Sequence, residues 1–570
     1  MPTYFIDPSR ASNGTGSFAS PFNSYASLPA LAAGDKVLQK AGTTFNGHVS
    51  VAQSGTQASP IVFGVYAEDG TEIDKVLGAA RIAGIGSAAD NFSTQAQSWI
   101  TVRCLDFTNV TAGRAGATLG SSASAQGCRA SYCRASNQPQ SVAGFNVRTN
   151  PGVVPNVVEY SEASYNAFGI LFQGGSAGGA LEFTSNVCNW NAESGIRIAI
   201  STAGAIVGTI RGNECRFNGV AQGVSDKGRG IDNLSDAYDL LIQGNNCSDN
   251  YSTGIRLGTF GGLINQVRAI GNTCDRNGDF GIQVSRGAGF RIRGNKCRYN
   301  GADRGSRYGR GIEIYSSNGG LPAGPGVVQG NDCSYNLNFG GTINNGTEGV
   351  GIGLDDNHRS VLVIGNRCVG NEGNGIQFNP NGATGTSVVA GNLLIDNYCA
   401  PSDRVTAGWP THSRAQIALF TSEANAKLYN NTCVLTATTT CLYGISEGPA
   451  SAGVGVEALN NLLVGHQVGL KVRTGITRTN NAFWRCAKNV ESNADTTTLS
   501  DGAAAVITDP LIDVTYRPLD TSPLIGAGVF VGWTLDSSGK RFRNPPCIGA
   551  YEFVKRWAAP NNESDPWSVL

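Results

Sequence analysis

The sequence predicts an all-β chain, a single right-handed parallel β-helix solenoid with an N-terminal and a C-terminal cap. Three observations carry that expectation. The phrase Asn-x-Cys-x-x-Asn recurs along the chain, each copy is flanked by alternating apolar residues, and the composition is rich in glycine (77 residues) with only 15% charged residues. Such a composition suits a turn-rich β protein and not a disordered one.

The phrase is clearest from Gly271 to Val284, GNTCDRNGDFGIQV. It appears at Asn186/Cys188/Asn191, Asn213/Cys215/Asn218, Asn245/Cys247/Asn250, Asn272/Cys274/Asn277, Asn295/Cys297/Asn300, Asn331/Cys333/Asn336 and Asn366/Cys368/Asn371, then weakens to Asn392/Leu394/Asn397, Asn431/Cys433 and Asn461/Leu463. The first Asn positions are separated by 27, 32, 27, 23, 36, 35 and 26 residues, so the core unit is constant while the connections vary. A fixed unit of this length is a solenoid signature. Alternation such as Phe290-x-Ile292-x-Gly294 and Gly281-Ile282-Gln283-Val284 argues for strands. One unit cannot bury its inner face alone, so coils must stack.

Asn suits the sharp corners because it tolerates left-handed backbone, and its amide can bond the Asn of the next coil. The Cys positions recur once per coil and are replaced by Leu394 and Leu463, which predicts an inward stack of small hydrophobes and no structural metal. Cys104, Cys128, Cys133, Cys399, Cys441, Cys486 and Cys547 lack zinc spacing.

The 570 residues would allow several domains, but a solenoid grows in one dimension and one long body is expected. A formal net charge of zero argues against nucleic acid or an anionic membrane as partner. No apolar run has the length of a membrane span, and Met1 to Asp7 lacks the character of a signal peptide. An extracellular task then requires a removed leader, another export route, or release in a virus particle.

In chain order, residues 1–50 read as a strand-and-helix cap, with Tyr4-Phe-Ile-Asp-Pro as a strand and Ser24 to Leu31 as a short helix. Residues 51–490 form the β-helix. Residues 491–556, with Asp509-Pro-Leu-Ile, Tyr516 to Gly528 and Ile548-Gly-Ala-Tyr-Glu-Phe553, read as a closing segment, and 557–570 as a poorly ordered or partner-bound tail.

The opening and the repeat together resemble the pectate-lyase-like superfamily of right-handed β-helix proteins, and phage tailspikes and polysaccharide depolymerases within it. In those proteins a short helix covers the bare edge of the first coil. The resemblance implies a polysaccharide substrate, a virion-tail or extracellular location, a homotrimer and phage tail or baseplate partners; it bears on fold more firmly than on function.

Taking the Ile of each Gly-Ile strand as inward, the next residue faces out. This gives a row of Arg197, Asp232, Arg256, Gln283, Glu313, Gly353 and Gln377, with Lys471 further on. Two positions later on the same face come Ser285, Tyr315, Asp355 and Asn379. Long insertions stand at one corner, 219–229, 301–310, 337–350 and 398–414, and form a wall along the row. They carry Asp226, Lys227, Arg229, Asp303, Arg304, Arg307, Tyr308, Arg310, Glu348, Trp409 and His412. Alternating charge and aromatic faces suit an acidic polysaccharide, with Arg197, Asp232, Arg256, Gln283, Tyr308, Arg310, Tyr315 and Gln377 as substrate-binding residues. The bland reading is a solvated sheet face with hydrogen-bonding loops.

Within the row, Glu313 and Asp355 lie on adjacent coils one pleat step apart, which places them about 8 Å from each other. That separation fits an inverting glycosidase, one carboxyl acting as acid and one activating water. Asp356 and His358 complete the catalytic set, from the run Asp355-Asp356-Asn357-His358-Arg359. The run resembles the paired Asp of β-helix polygalacturonases, whose Asn-Thr-Asp, Gly-His-Gly and Arg-Ile-Lys signatures are absent here, so their mechanism is not carried over. A lyase would instead use Arg310, His358 or Tyr315 as base, with the substrate carboxylate neutralised by Arg or Ca²⁺. No other cofactor is expected. The alternative in another class is a non-catalytic glycan-binding adhesin or virion spike.

Overall fold

The computed structural model describes residues 1–553, except 85–88, 109–113, 121–124, 137, 150–153, 175–177, 200–204, 220–226, 235–236, 259–263, 302–308, 317–322, 338–348, 357, 380–385, 399–413, 421–424, 437–440, 449–454, 503 and 533–534. Two compact units divide it, residues 1–274 and 275–570. Each is a stack of short parallel strands.

In the N-terminal unit one sheet is built by β1 (Ala115–Leu119), β2 (Gln138–Val147), β3 (Asn166–Phe172), β4 (Ser194–Ile198), β5 (Arg229–Asn233) and β6 (Ile255–Leu257), each pairing in parallel with the next. A second parallel sheet runs through Asn156–Glu159, Gly178–Thr184, Ala205–Arg211 and Ala237–Gln243. The C-terminal unit repeats the plan with β7 (Phe280–Ser285), β8 (Arg310–Ser316), β9 (Val350–Asp356), β10 (Ile376–Asn379), β11 (Ala415–Leu419), β12 (Tyr443–Glu447), β13 (Val468–Val472) and β14 (Lys488–Ser492). Successive strands of one sheet are separated by the rest of a coil, which makes each unit a parallel β-helix; parallel crossovers of this kind wind right-handed.

Register sets the core. In the C-terminal unit Ile282, Ile312, Ile352, Ile376, Ile417, Ile445, Leu470 and Val490 are direct neighbours in one inward column, all fully buried. The described cysteines are all free, and all but the half-buried Cys486 are buried. Burial pushes the Cys133 thiol up to about 12, so it behaves as a small hydrophobe.

Two asparagine ladders line the corners of each unit. In the C-terminal unit the backbone N–H and Nδ2 of Asn295 both donate to Asn331 Oδ1 at 2.9 Å, and Asn331 repeats this onto Asn366 at 2.9 Å. This ladder continues through Asn392, Asn431, Asn461 and Asn481 and ends on a carboxylate, Asp501. The left-handed backbone, however, is not at these asparagines. It falls on the residue before each, such as Gly294 and Gly330 (φ 63° and 62°) or Tyr299 and Tyr335 (φ 57° and 58°). The ladder amide has to point along the stack, so its neighbour makes the turn. That neighbour is often aromatic, and the rings stack: Tyr165 on Trp190 and Trp190 on Phe217 at 6.2 and 4.5 Å, and Tyr299 on Tyr335 at 5.2 Å.

The expected helix at Ser24 to Leu31 is a single 3₁₀ turn, Tyr25–Ser27, with Ser24 Oγ accepting from the Ala26 N–H. Leu28 is already extended (ψ 136°), as the residue before Pro29 is required to be. Buried Tyr25 packs its ring 5.0 Å from that of Phe45. At the other end, Leu524 and Ile548 pack on Leu462 and Ala482, and the Ala550 N–H donates to Thr432 Oγ1 at 2.8 Å. Leu524, Ile548 and Ala550 therefore lie against the outer side of the coils. The tail 557–570 lies outside the described residues, and no described helix is long and apolar enough to cross a membrane.

Candidate functional site

The outward row exists in each unit. In the N-terminal unit Thr118, Asn146, Leu171, Arg197, Asp232 and Arg256 are consecutive register partners. In the C-terminal unit Gln283, Glu313, Gly353 and Gln377 are consecutive partners, with Ser285, Tyr315, Asp355 and Asn379 one pleat step further on.

The charges of the N-terminal row are paired with one another. Asp232 is fully buried, and its Oδ1 accepts from Arg256 Nε at 2.7 Å while Arg229 Nη1 lies 3.6 Å from its Oδ2. Glu193 receives Arg197 and Lys227, each at 3.0 Å, and the Arg197 guanidinium sits 4.8 Å over the Phe168 ring. The row is a ladder of alternating sign, each charge held by a neighbour.

The C-terminal row is built around Arg310. Its guanidinium, 2% exposed, donates from Nη1 to Glu313 Oε2 and, at 2.6 Å, to Asp355 Oδ2. Two oxygens that share one donor nitrogen lie at most about 6 Å apart. The separation of about 8 Å expected from strand spacing is thus shortened, because that reckoning took no account of the cation drawing the carboxylates together. Burial works against the charge of Arg310, but Asp355 and Glu313 outweigh it, and the proton is held more tightly than on an ordinary arginine. Gly353 makes room for this arrangement: a Cβ there would stand 2.6 Å from Glu313 Oε2 and 2.8 Å from Arg310 Nη1.

Beside them, Gln377 is fully buried, and neither its Nε2 nor its Oε1 has a hydrogen-bond partner among the described residues. Tyr315 is half-buried beside Asp355 on the neighbouring strand. His358 is fully buried, with its ring 5.8 Å from that of Phe378 in the core. Gln283 is half-buried. Asp356 ends β9, but its side chain lies outside the described residues, as do Tyr308 and the insertion residues Asp226, Asp303, Arg304, Arg307, Glu348, Trp409 and His412.

Arg310 as the centre of a cluster was legible in a motif that the row-by-row reading passed over. Arg229-Gly-Ile-Asp232 and Arg310-Gly-Ile-Glu313 are the same phrase, and in both the arginine reaches the acid three residues on. Arg310 also stands where a Ca²⁺ bound by Glu313 and Asp355 would have to sit, so these residues do not fit that ion. Among the described residues no group of three or more His, Cys, Asp or Glu is placed to hold a metal.

No protein-family model and no curated protein matches the chain. Solved structures do. The mannuronan C-5 epimerase AlgE6 A-module of Azotobacter vinelandii is 15% identical, with a TM-score of 0.41, over 62% of this chain and 91% of that one. The Dettilon tailspike protein is 15% identical, with a TM-score of 0.38, over 64% and 61%. The pectate lyase Pel9A is 12% identical, with a TM-score of 0.22, over 97% and 96%. The activity in each of these names belongs to that protein.

Proposed function

We propose that the chain degrades a polysaccharide and that its reacting groups are Asp355 and Tyr315, positioned by Arg310 and Glu313. The observation that carries this reading is the Glu313–Arg310–Asp355 cluster on the outward face, in which Glu313 and Arg310 are buried and Asp355 is half-buried. Burying three charges holds coils together less well than apolar residues of equal volume, and perturbed charge clusters gather at functional sites.

Arg310 already engages one oxygen of each carboxylate, so neither is placed to hand a proton to a leaving group as the acid of a two-carboxylate hydrolase. Asp355, with one oxygen on Arg310, is a base, and the phenol of Tyr315 beside it is the proton donor. This division suits β-elimination on an acidic sugar. Asp355 takes the proton from the carbon next to the sugar carboxylate, that electron pair forms the ring double bond, the β C–O bond breaks, and Tyr315 protonates the leaving oxygen. A virion-tail or extracellular setting, a homotrimer and tail or baseplate partners belong to the same proposal.

The near-complete burial of Arg310 and Glu313 favours a second reading, a spike that binds glycan without cutting it. The test is incubation with bacterial surface polysaccharides, neutral and acidic, following chain length and the ultraviolet absorbance of an unsaturated product. Shortening with absorbance, lost in Asp355→Asn, is expected. Shortening without absorbance means hydrolysis; binding without shortening by any substrate means the spike.

A further inference from the structure

A cavity of about 360 Å³ opens in the N-terminal unit, lined by Asp90, Arg114, Thr118, Asn146, Arg148 and Gln173. Its size is that of a small-ligand site. Thr118 and Asn146 belong to the outward row that continues through Leu171 to Arg197, so the cavity lies on the same sheet face as the charge ladder of its unit.

We propose that this cavity is a binding pocket for a carboxylate-bearing sugar residue, a saccharide site separate from the Arg310 cluster. Four features of its lining point to that ligand. Asp90 is fixed, with Oδ1 accepting from the Ala115 N–H at 2.9 Å and Oδ2 from Thr118 Oγ1 at 2.7 Å, and a held carboxylate accepts from sugar hydroxyls. Arg148 is oriented by Gln173 Oε1, which accepts from its Nε at 2.9 Å and its Nη2 at 2.6 Å. Arg114 is exposed and lines the pocket, and its guanidinium makes no hydrogen bond or ion pair with the described residues, while its carbonyl accepts from the Val142 N–H at 2.8 Å. Asn146 Oδ1 is buried without a partner among the described residues. Two guanidinium groups against one carboxylate leave the pocket with one net positive charge. A guanidinium left unengaged matches a planar carboxylate in two-point geometry, while Asp90 disfavours a doubly charged phosphate.

The ligand class rests on the reading of the chain as glycan-acting; the pocket itself does not require catalysis. The test is calorimetric titration of the whole chain with a glucuronate-containing oligosaccharide and with its methyl ester, in the wild type, in Arg114→Gln and in Asp355→Asn. Expected is binding of the acid about tenfold tighter than of the ester, with the difference removed in Arg114→Gln and retained in Asp355→Asn. The Arg114 side chain is exposed and has no partner among the described residues, so its variant is expected to fold as the wild type does, which melting checks. Equal binding of acid and ester, no effect of Arg114→Gln, or no binding at all overturns the proposal. Cleavage unaffected by Arg114→Gln at every substrate concentration, with no such binding, would sink the pocket and leave the catalytic reading standing. Charge-selective binding without cleavage would do the reverse.

Discussion

Arg310 Nη1 donates to Asp355 Oδ2 at 2.6 Å across 45 residues of chain, and the same nitrogen serves Glu313. One buried cation thus holds both carboxylates in place, and the first prediction concerns its removal. Arg310→Gln leaves the buried Glu313 and the half-buried Asp355 without a counter-charge and is expected to cost about 3–5 kcal/mol in chemical denaturation. The double variant with Glu313→Gln should recover part of that loss. Equal stability of Arg310→Gln and the wild type would show that the cluster is solvated and contributes no such constraint.

Gly353 is the second test. An added methyl group would press on Glu313 Oε2 and Arg310 Nη1, at 2.6 and 2.8 Å. Gly353→Ala is expected to lower cleavage by about a hundredfold through misplacement of Asp355. Stability should change far less than in Arg310→Gln, since the ends of flexible side chains can give way. Unchanged turnover would remove the cluster from the catalytic account.

The asparagine ladder gives a third. Asn331 accepts twice from Asn295 and donates to Asn366 and to the Ile292 carbonyl. Asn331→Ala should cost at least about 3 kcal/mol, because each orphaned partner stays buried. Cys333→Ala, two residues on in the same coil but apolar in role, should cost about 1 kcal/mol. Comparable losses from the two would mean that the ladder is not the stronger element.

A fourth concerns pH. Asp501 ends the ladder, accepting from Asn481, and burial raises its carboxyl from 3.8 to about 6. A raised acid is favoured folded while protonated. Its contribution is full below pH 3.8 and is lost as pH rises through about 6. His466 runs the other way: burial lowers it from 6.5 to about 4, so its contribution is present above pH 6.5 and lost as pH falls through about 4. Asp501→Asn isolates the first effect. The variant should be more stable than the wild type at pH 7, by up to about 3 kcal/mol, and the gap should close toward pH 4. A gap that does not vary with pH would place the cause elsewhere.

What the sequence alone determined is whatever repeats. Period-two apolar residues and recurrent Asn and Cys specify parallel coils, an inward column and an outward row, because an identical local environment returns once per coil and leaves its mark at every return. Even so, the ladder at Asn295 and Asn331 hid the aromatic stack beside it, since Tyr299 and Tyr335 reveal a role only when their rings meet. The tertiary structure decided what is unique to one coil. That Arg310 reaches over Gly353 to Asp355, that Gln377 is buried with no side-chain partner among the described residues, and that the Arg114 side chain lines a cavity all depend on side chains from different coils converging. Such convergence is set by distances across the stack, and a side chain's reach has no period for a linear pattern to record.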